Sequence, residues 1–313
     1  MRVLPSNIGF VFLLSALLSV AGCAGNAVSD ETVESQSAAL TSVDYYDSTG
    51  LVHIQVKTCD WTAAAEHNVT ACTVNPGFVL VGGGAEVENS ASGGGLLTKS
   101  FPANNTTWFA ASKDHVVAYA HRLRAYAVGM ALQNMTSTAL SSLVTITSAT
   151  SSAGHAPSVQ VNAPNFNVVL SGGAASNASG AGQLLTGSFP SSDLLSWTAS
   201  SKDHEVSDIA TVTAFVISVP VCLNNVVPHC LLTSAQIGSG FVPTGYGVAA
   251  ANTTGGWAPL GVGGRAQWNG NGRLLTDLIP SNAAGRGATA YSKDHIHAEG
   301  NETDVWAMSV QGF

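Results

Sequence analysis

The tetrapeptide Ser-Lys-Asp-His occurs three times, at residues 112–115, 201–204 and 292–295, and takes three of the five lysines in the chain. The copies lie 89 and then 91 residues apart. Spacing this even marks an internal repeat, in which one supersecondary unit is reused and neighbouring units share a core. Further segments recur around each copy in the same order. The first block holds VGGGAEV (81–87), LLTKSFP (96–102), WFAASKDH (108–115) and RAYAVGM (124–130); the second holds LSGGAAS (170–176), LLTGSFP (184–190), WTASSKDH (197–204) and TAFVISV (213–219). The third holds VGGRAQW (262–268), LLTDLIP (274–280), ATAYSKDH (288–295) and VWAMSV (305–310). Length variation falls between these segments, which makes them the framework and the rest loops.

The segments are short, rich in Val, Thr, Ala, Phe and Trp, and bounded by Gly, Pro, Asn and Ser, a composition that predicts antiparallel strands joined by turns. In TVTAFVISV (211–219) both alternating faces are largely apolar, so this strand is expected to be buried on both sides or packed between repeats. The pairs Gly83-Gly84, Gly172-Gly173 and Gly263-Gly264 suggest a bulge or a close backbone approach. The expected fold is all-β, with three homologous antiparallel units, sandwich- or prism-like and pseudo-threefold, over residues 43–132, 133–221 and 222–313. Over roughly 76–313 the pattern is similar to repeats in secreted and surface proteins of actinobacteria and myxobacteria, a resemblance that implies a shared fold and no particular chemistry. The third unit departs from it. It lacks a tryptophan equivalent to Trp108 and Trp197, and its Gly-rich stretch 238–260 reads as an insertion.

The N-terminus is of another kind. Arg2 precedes an apolar run, 8–20, that is too short to span a membrane comfortably and ends in small residues, as an export signal does. Its end, Leu-Ser-Val-Ala-Gly-Cys (18–23), resembles the lipobox of bacterial lipoproteins. That resemblance implies removal of residues 1–22 and a lipid anchor on Cys23, with multiple acyl chains holding the protein at a membrane. Alanine at position 24 would then favour the outer membrane in a diderm host. Residues 23–42 are rich in Ser, Ala and acidic residues and read as a flexible tether. The net charge of −8 comes with no basic run, so nucleic acid is not an expected partner. The remaining cysteines pair most economically as Cys59 with Cys72 and Cys222 with Cys230, although three connectivities are open.

Two readings of the tetrapeptide follow from the sequence. In the first it is a fold staple: the strand ends at the serine, and Asp114, Asp203 and Asp294 pin the turn by accepting backbone N–H bonds while the Lys and His stems pack. In the second, Lys113, Asp114, His115, Lys202, Asp203, His204, Lys293, Asp294 and His295 contact a ligand, and Trp108, Trp197 or Tyr291 offers an apolar face on which a sugar stacks. The chain has no Gly-x-Ser-x-Gly, no His-Glu-x-x-His and no phosphate loop, and three equal copies do not resemble one active site. No catalytic residue and no cofactor are expected. His295, His297 and Glu299 are the one weak metal candidate, since they would share a face of a regular strand. The function expected is binding or adhesion at the cell envelope, toward a glycan or another surface protein. Its alternatives are a structural scaffold, and a hydrolase or metalloprotein whose site lies in the third unit.

Overall fold

The computed structural model describes residues 41–88, 94–223, 230–270 and 272–313. The leader, Cys23 and all but the end of the tether lie outside the described residues. The described chain is all-β, as the composition of the repeated segments requires.

A leading strand, β1 (Thr41–Tyr46), precedes three sets of six. The first set is β2 (Val52–Thr58), β3 (His67–Thr73), β4 (Val79–Val87), β5 (Leu96–Pro102), β6 (Thr107–Lys113) and β7 (Leu123–Leu132). A short helix, α1 (Ser137–Leu143), capped by the Thr136 hydroxyl, leads to the second: β8 (Thr145–Thr150), β9 (Ser158–Asn162), β10 (Asn167–Ser176), β11 (Leu184–Pro190), β12 (Ser196–Lys202) and β13 (Val212–Pro220). The third is β14 (Leu231–Val242), β15 (Tyr246–Asn252), β16 (Ala258–Ala266), β17 (Leu274–Ile279), β18 (Gly287–Lys293) and β19 (Asn301–Gly312). The stretch 238–260 is therefore no insertion. It holds the end of β14, all of β15 and the start of β16, matching β2 to β4 and β8 to β10, where the sequences have diverged too far to align by eye.

The strands form three antiparallel sheets, ordered β1-β2-β7-β4-β17-β18-β15, β3-β6-β5-β10-β13-β8 and β14-β19-β16-β11-β12-β9. Each sheet joins half of one repeat to half of another. The first, sixth and third strands of one set pair with the fourth, fifth and second strands of a neighbouring set, through seams at Leu278 with Ala85, Ser100 with Ala174 and Ser188 with Gly264. The third repeat returns to the first, so the arrangement closes and the three sheets enclose one main hydrophobic core.

At the seams the glycines do physical work. A Cβ on Gly84 would lie 2.1 Å from the Leu278 carbonyl oxygen, and one on Gly173 would lie 2.5 Å from Phe101 Cα. A bulge on β4, β10 and β16 brings Gly82, Ser171 and Gly261 toward the middle of the molecule, where a Cβ on Gly82 would be 3.1 Å from Gly261 Cα. The register also shifts the third glycine pair by one place. Gly263 matches Gly84 and Gly173, and Val262 stands where Gly83 and Gly172 stand.

That shift explains the missing tryptophan. Trp108 and Trp197 are buried, each indole N–H donating to a serine hydroxyl, Ser100 and Ser188, at 3.0 Å. The indoles lie on Gly83 and Gly172, where any Cβ would clash. In the third repeat Ala288 replaces the tryptophan, Leu278 replaces the serine and Val262 replaces the glycine, all three buried. Volume lost on one strand is returned on another, and the hydroxyl goes with the N–H it served, as close packing and hydrogen-bond satisfaction both demand. Disulfides Cys59–Cys72 and Cys222–Cys230 staple the chain locally. Such bonds persist outside the reducing cytosol.

The exchange gives a direct test. Trp108→Ala should cost about 3–5 kcal/mol in denaturant unfolding, and Gly83→Val alone should also destabilise. Combined with Ser100→Leu, the pair should recover a substantial part of the loss; simple additivity of the penalties would contradict the packing account.

Candidate functional site

The three Ser-Lys-Asp-His segments meet at one end of the molecule. Each strand, β6, β12 or β18, ends at the lysine, and the Asp and His lie in the turn beyond it. His115 Nε2 donates to the His204 carbonyl, His204 Nε2 to the His295 carbonyl at 2.7 Å, and His295 Nε2 to the His115 carbonyl. The cycle closes on itself, with ring centroids 5.4–5.6 Å apart. Because a carbonyl only accepts, each ring must carry its proton on Nε2.

The lysines repeat the same circulation. Lys113 Nζ donates to Gly180 O, Lys202 Nζ to Gly270 O and Lys293 Nζ to Gly94 O, each at 3.0 Å and each in the next repeat around. Burial holds all three ammonium groups below the usual lysine range, Lys202 and Lys293 at about 8. Beneath them Leu96, Leu184 and Leu274, each paired with its lysine across the hairpin, form a separate small apolar cluster.

The aspartates pin the turns. Asp114 accepts from Tyr119 N at 2.8 Å, Asp203 from Asp208 N at 3.2 Å and Asp294 from Glu299 N at 3.1 Å. The residue after each histidine has positive φ, +62° at Val116, +59° at Glu205 and +67° at Ile296, and the next N–H returns to the histidine carbonyl in a γ-turn. Every His carbonyl thus accepts twice, once from its own turn and once from a neighbouring imidazole. The serines point to buried polar partners that differ by repeat: His121, Gln183 and Arg273.

Lys113, His115, Lys202, His204, Lys293 and His295 are buried and bonded within the protein, and Asp114, Asp203 and Asp294 are mostly so. Trp108 and Trp197, expected to offer a face to a sugar, are sealed between sheets with their only N–H groups already bonded. Among these candidates Tyr291 lines one cleft and Lys113 another. The metal candidates do not converge: His295 bonds a carbonyl, His297 pairs with Glu205 at 2.9 Å, and Glu299 accepts from the backbone of Asn269 and Gly272. Among the described residues no group of three His, Cys, Asp or Glu is placed to hold a metal ion.

The cleft beside Tyr291 was not foreseen. It has a volume of about 280 Å³ and is lined by Glu86, Val87, Tyr246, Asp277, Ile279 and Tyr291. Pairing of Leu278 with Ala85 sets Asp277 opposite Glu86, two carboxylates facing across a seam. Glu86 accepts from Tyr126 OH and from Arg124 Nε at 2.7 Å, and the Arg124 guanidinium lies 4.4 Å from the Trp61 ring centre. Asp277 is buried in the cleft wall and accepts from Val87 N and from the Thr276 hydroxyl. Burial pushes its carboxyl up to about 7 against these bonds, and the Glu86 charge adds to the rise. At the other two seams the corresponding pairs are Ala175 with Lys99 and Gly187 with Arg265. The signal was present in the repeat itself, in the column reading Lys, Gly, Asp within LLTKSFP, LLTGSFP and LLTDLIP.

No family model matches the chain, and no curated protein matches it.

Two titrations act in opposite directions. His295 is held neutral by burial, down to about 4 from an ordinary 6.5, so its contribution to stability is full above pH 6.5 and is lost as pH falls toward 4. Asp277 is held protonated in the fold, so its contribution is full below about pH 4 and is lost as pH rises to 7. Asp277→Asn should therefore stabilise the protein above pH 7 by up to a few kcal/mol, and should leave stability rising from pH 4 to 6.5. A variant whose stability falls over that window, measured by urea unfolding across pH, would refute the histidine assignment.

Proposed function

We propose that the chain is a lipid-anchored cell-envelope protein that binds a partner on the outer faces of its sheets and uses Ser-Lys-Asp-His as the clasp that holds those faces together. The observation that carries this reading is a contrast between equivalent positions. On the axis the three repeats are nearly identical and their polar groups are consumed inside the protein. At the three seams the same structural position carries two acids, a lysine or an arginine. Such differences fit faces adapted to separate contacts, although Arg265 also serves the fold through Asp304.

Of the three faces, the Glu86–Asp277 cleft has the chemistry best suited to a polyhydroxylated ligand. Its carboxyl groups accept from or donate to hydroxyls, and Tyr246 and Tyr291 offer ring faces for the apolar side of a sugar. A glycan of the cell surface is the partner class this supports. The scaffold reading keeps one specific support: the tetrapeptide is buried and internally bonded throughout.

The test is a glycan array and cell-wall pull-down with the wild-type chain and with Tyr246→Ala/Tyr291→Ala, each checked by thermal melting. The binding reading expects capture by the wild type and at least tenfold weaker capture by a folded variant. Equal capture removes the cleft from the reading, and no capture by either protein favours the scaffold.

A further inference from the structure

The three turns that follow the histidines leave large aliphatic side chains in the open. Val116, Val117, Val206, Ile209 and Ile296 are each between 43% and 62% exposed. They surround the histidine cycle at the tip of the pseudo-threefold axis. Scattered exposed aliphatics need no explanation, but a group of them gathered at one end of a protein marks a surface that another phase or molecule covers.

The acidic groups of these turns are engaged within the protein. Asp114, Asp203 and Asp294 accept turn N–H groups, Asp208 accepts from Gly182 N at 3.0 Å, Glu299 accepts from the 269–272 loop, and Glu205 pairs with His297. Glu66 and His67, beside Asp114, remain toward solvent at one side. At another side Trp268 is 39% exposed, with Lys202 Nζ 4.4 Å from its ring centre. Tryptophan between apolar and aqueous surroundings is the residue that suits a headgroup layer.

The path of the chain says what covers the tip. β1 begins with Thr41 opposite Thr58, and Thr58 lies beside Tyr126. From Thr58 the chain runs on past Cys59, Thr62 and Ala65, bonded in turn to Ala125, Leu123 and His121, and reaches Glu66, whose carbonyl accepts from Asp114 N. That direction leads to the histidine tip. β1 is antiparallel to β2, so the chain comes into the fold from the same end. Seventeen residues, 24–40, separate Cys23 from Thr41, a contour of up to about 60 Å. An acylated Cys23 would therefore place the membrane on the side toward which the apolar turns project.

We propose that this tip is a membrane-docking surface, with the three turns after His115, His204 and His295 resting their aliphatic side chains in the interface of the bilayer that holds the lipid anchor. The orientation follows: the outer sheet faces stand roughly upright on the membrane, open to partners around the circumference. Two observations favour a bilayer over a second copy of the chain: the apolar groups sit around a threefold axis, and the chain enters the fold at that same end.

The inference rests on the lipoprotein reading, and the two are separated by separate measurements. Mass spectrometry of Cys23 in protein extracted from membranes tests acylation. For the tip, the chain from Cys23, whose thiol is the one outside the two disulfides, is coupled to maleimide lipid in phosphatidylcholine vesicles and followed by amide hydrogen exchange. The expected result is several-fold slower exchange over 116–120, 205–209 and 296–300 on vesicles, with 47–50 unchanged. Val116→Glu/Ile296→Glu should remove this protection while keeping the fold, because repeat 2 already carries Glu205 at that position. Unchanged exchange at all three turns on vesicles overturns the docking surface even if Cys23 is acylated. Equal protection in concentrated protein without vesicles overturns it in favour of a second copy. A bare Cys23 in membrane extracts overturns the anchor and, with it, the proposed orientation.

Discussion

Everything in this fold depends on the seam at which the LLT strand of one repeat pairs with the glycine-pair strand of another. Without it each repeat is two half-sheets with unpaired edges, β4 and β5 in the first case, each missing a partner. With it, three chains of contacts close into a ring and no repeat can leave without stripping hydrogen bonds from two sheets. The seam in turn requires the close approach that Gly84, Gly173 and Gly263 allow, and the core behind it tolerates either tryptophan on glycine with a serine partner or alanine on valine with a leucine. These are two solutions to one volume constraint.

At the tip the same closure is made in polar groups. Burying three lysines and three histidines at one end of an axis is costly unless each finds an acceptor, and the repeats solve this by donating around the circle, every repeat to the next. A cycle of this kind is satisfied only when all three members are present. The lysines bond to carbonyls of neighbouring loops, while burial lowers the His295 imidazole to about 4 and keeps it uncharged at neutral pH.

Much of this frame was legible in the sequence. The spacing of Ser-Lys-Asp-His, the alternation of short apolar segments and the paired glycines point to β-strands, to threefold repetition and to close backbone contact, and the aspartates do accept turn N–H groups. What the sequence hides is partnership. Lys113 and Gly180, or His295 and His115, are far apart in the chain, and no local pattern says that a strand's neighbour belongs to another repeat. The stretch 238–260, most of it the end of β14 and all of β15, reads as an insertion because edge strands keep only their alternation, not their residues. The Glu86–Asp277 cleft is hidden for a related reason: nothing in either strand's own sequence marks its carboxylate, and only the seam register sets them face to face.

The central claim is that three repeats fold as one body closed through an axial clasp. Native-state hydrogen exchange in increasing urea measures this directly by giving the opening free energy of amides in each sheet. The account predicts that the slowest amides of β7, β13 and β19 share one global opening, and that His204→Ala lowers it equally in all three. Separate openings for the three sheets, or a loss confined to the strands of the second repeat, would contradict it.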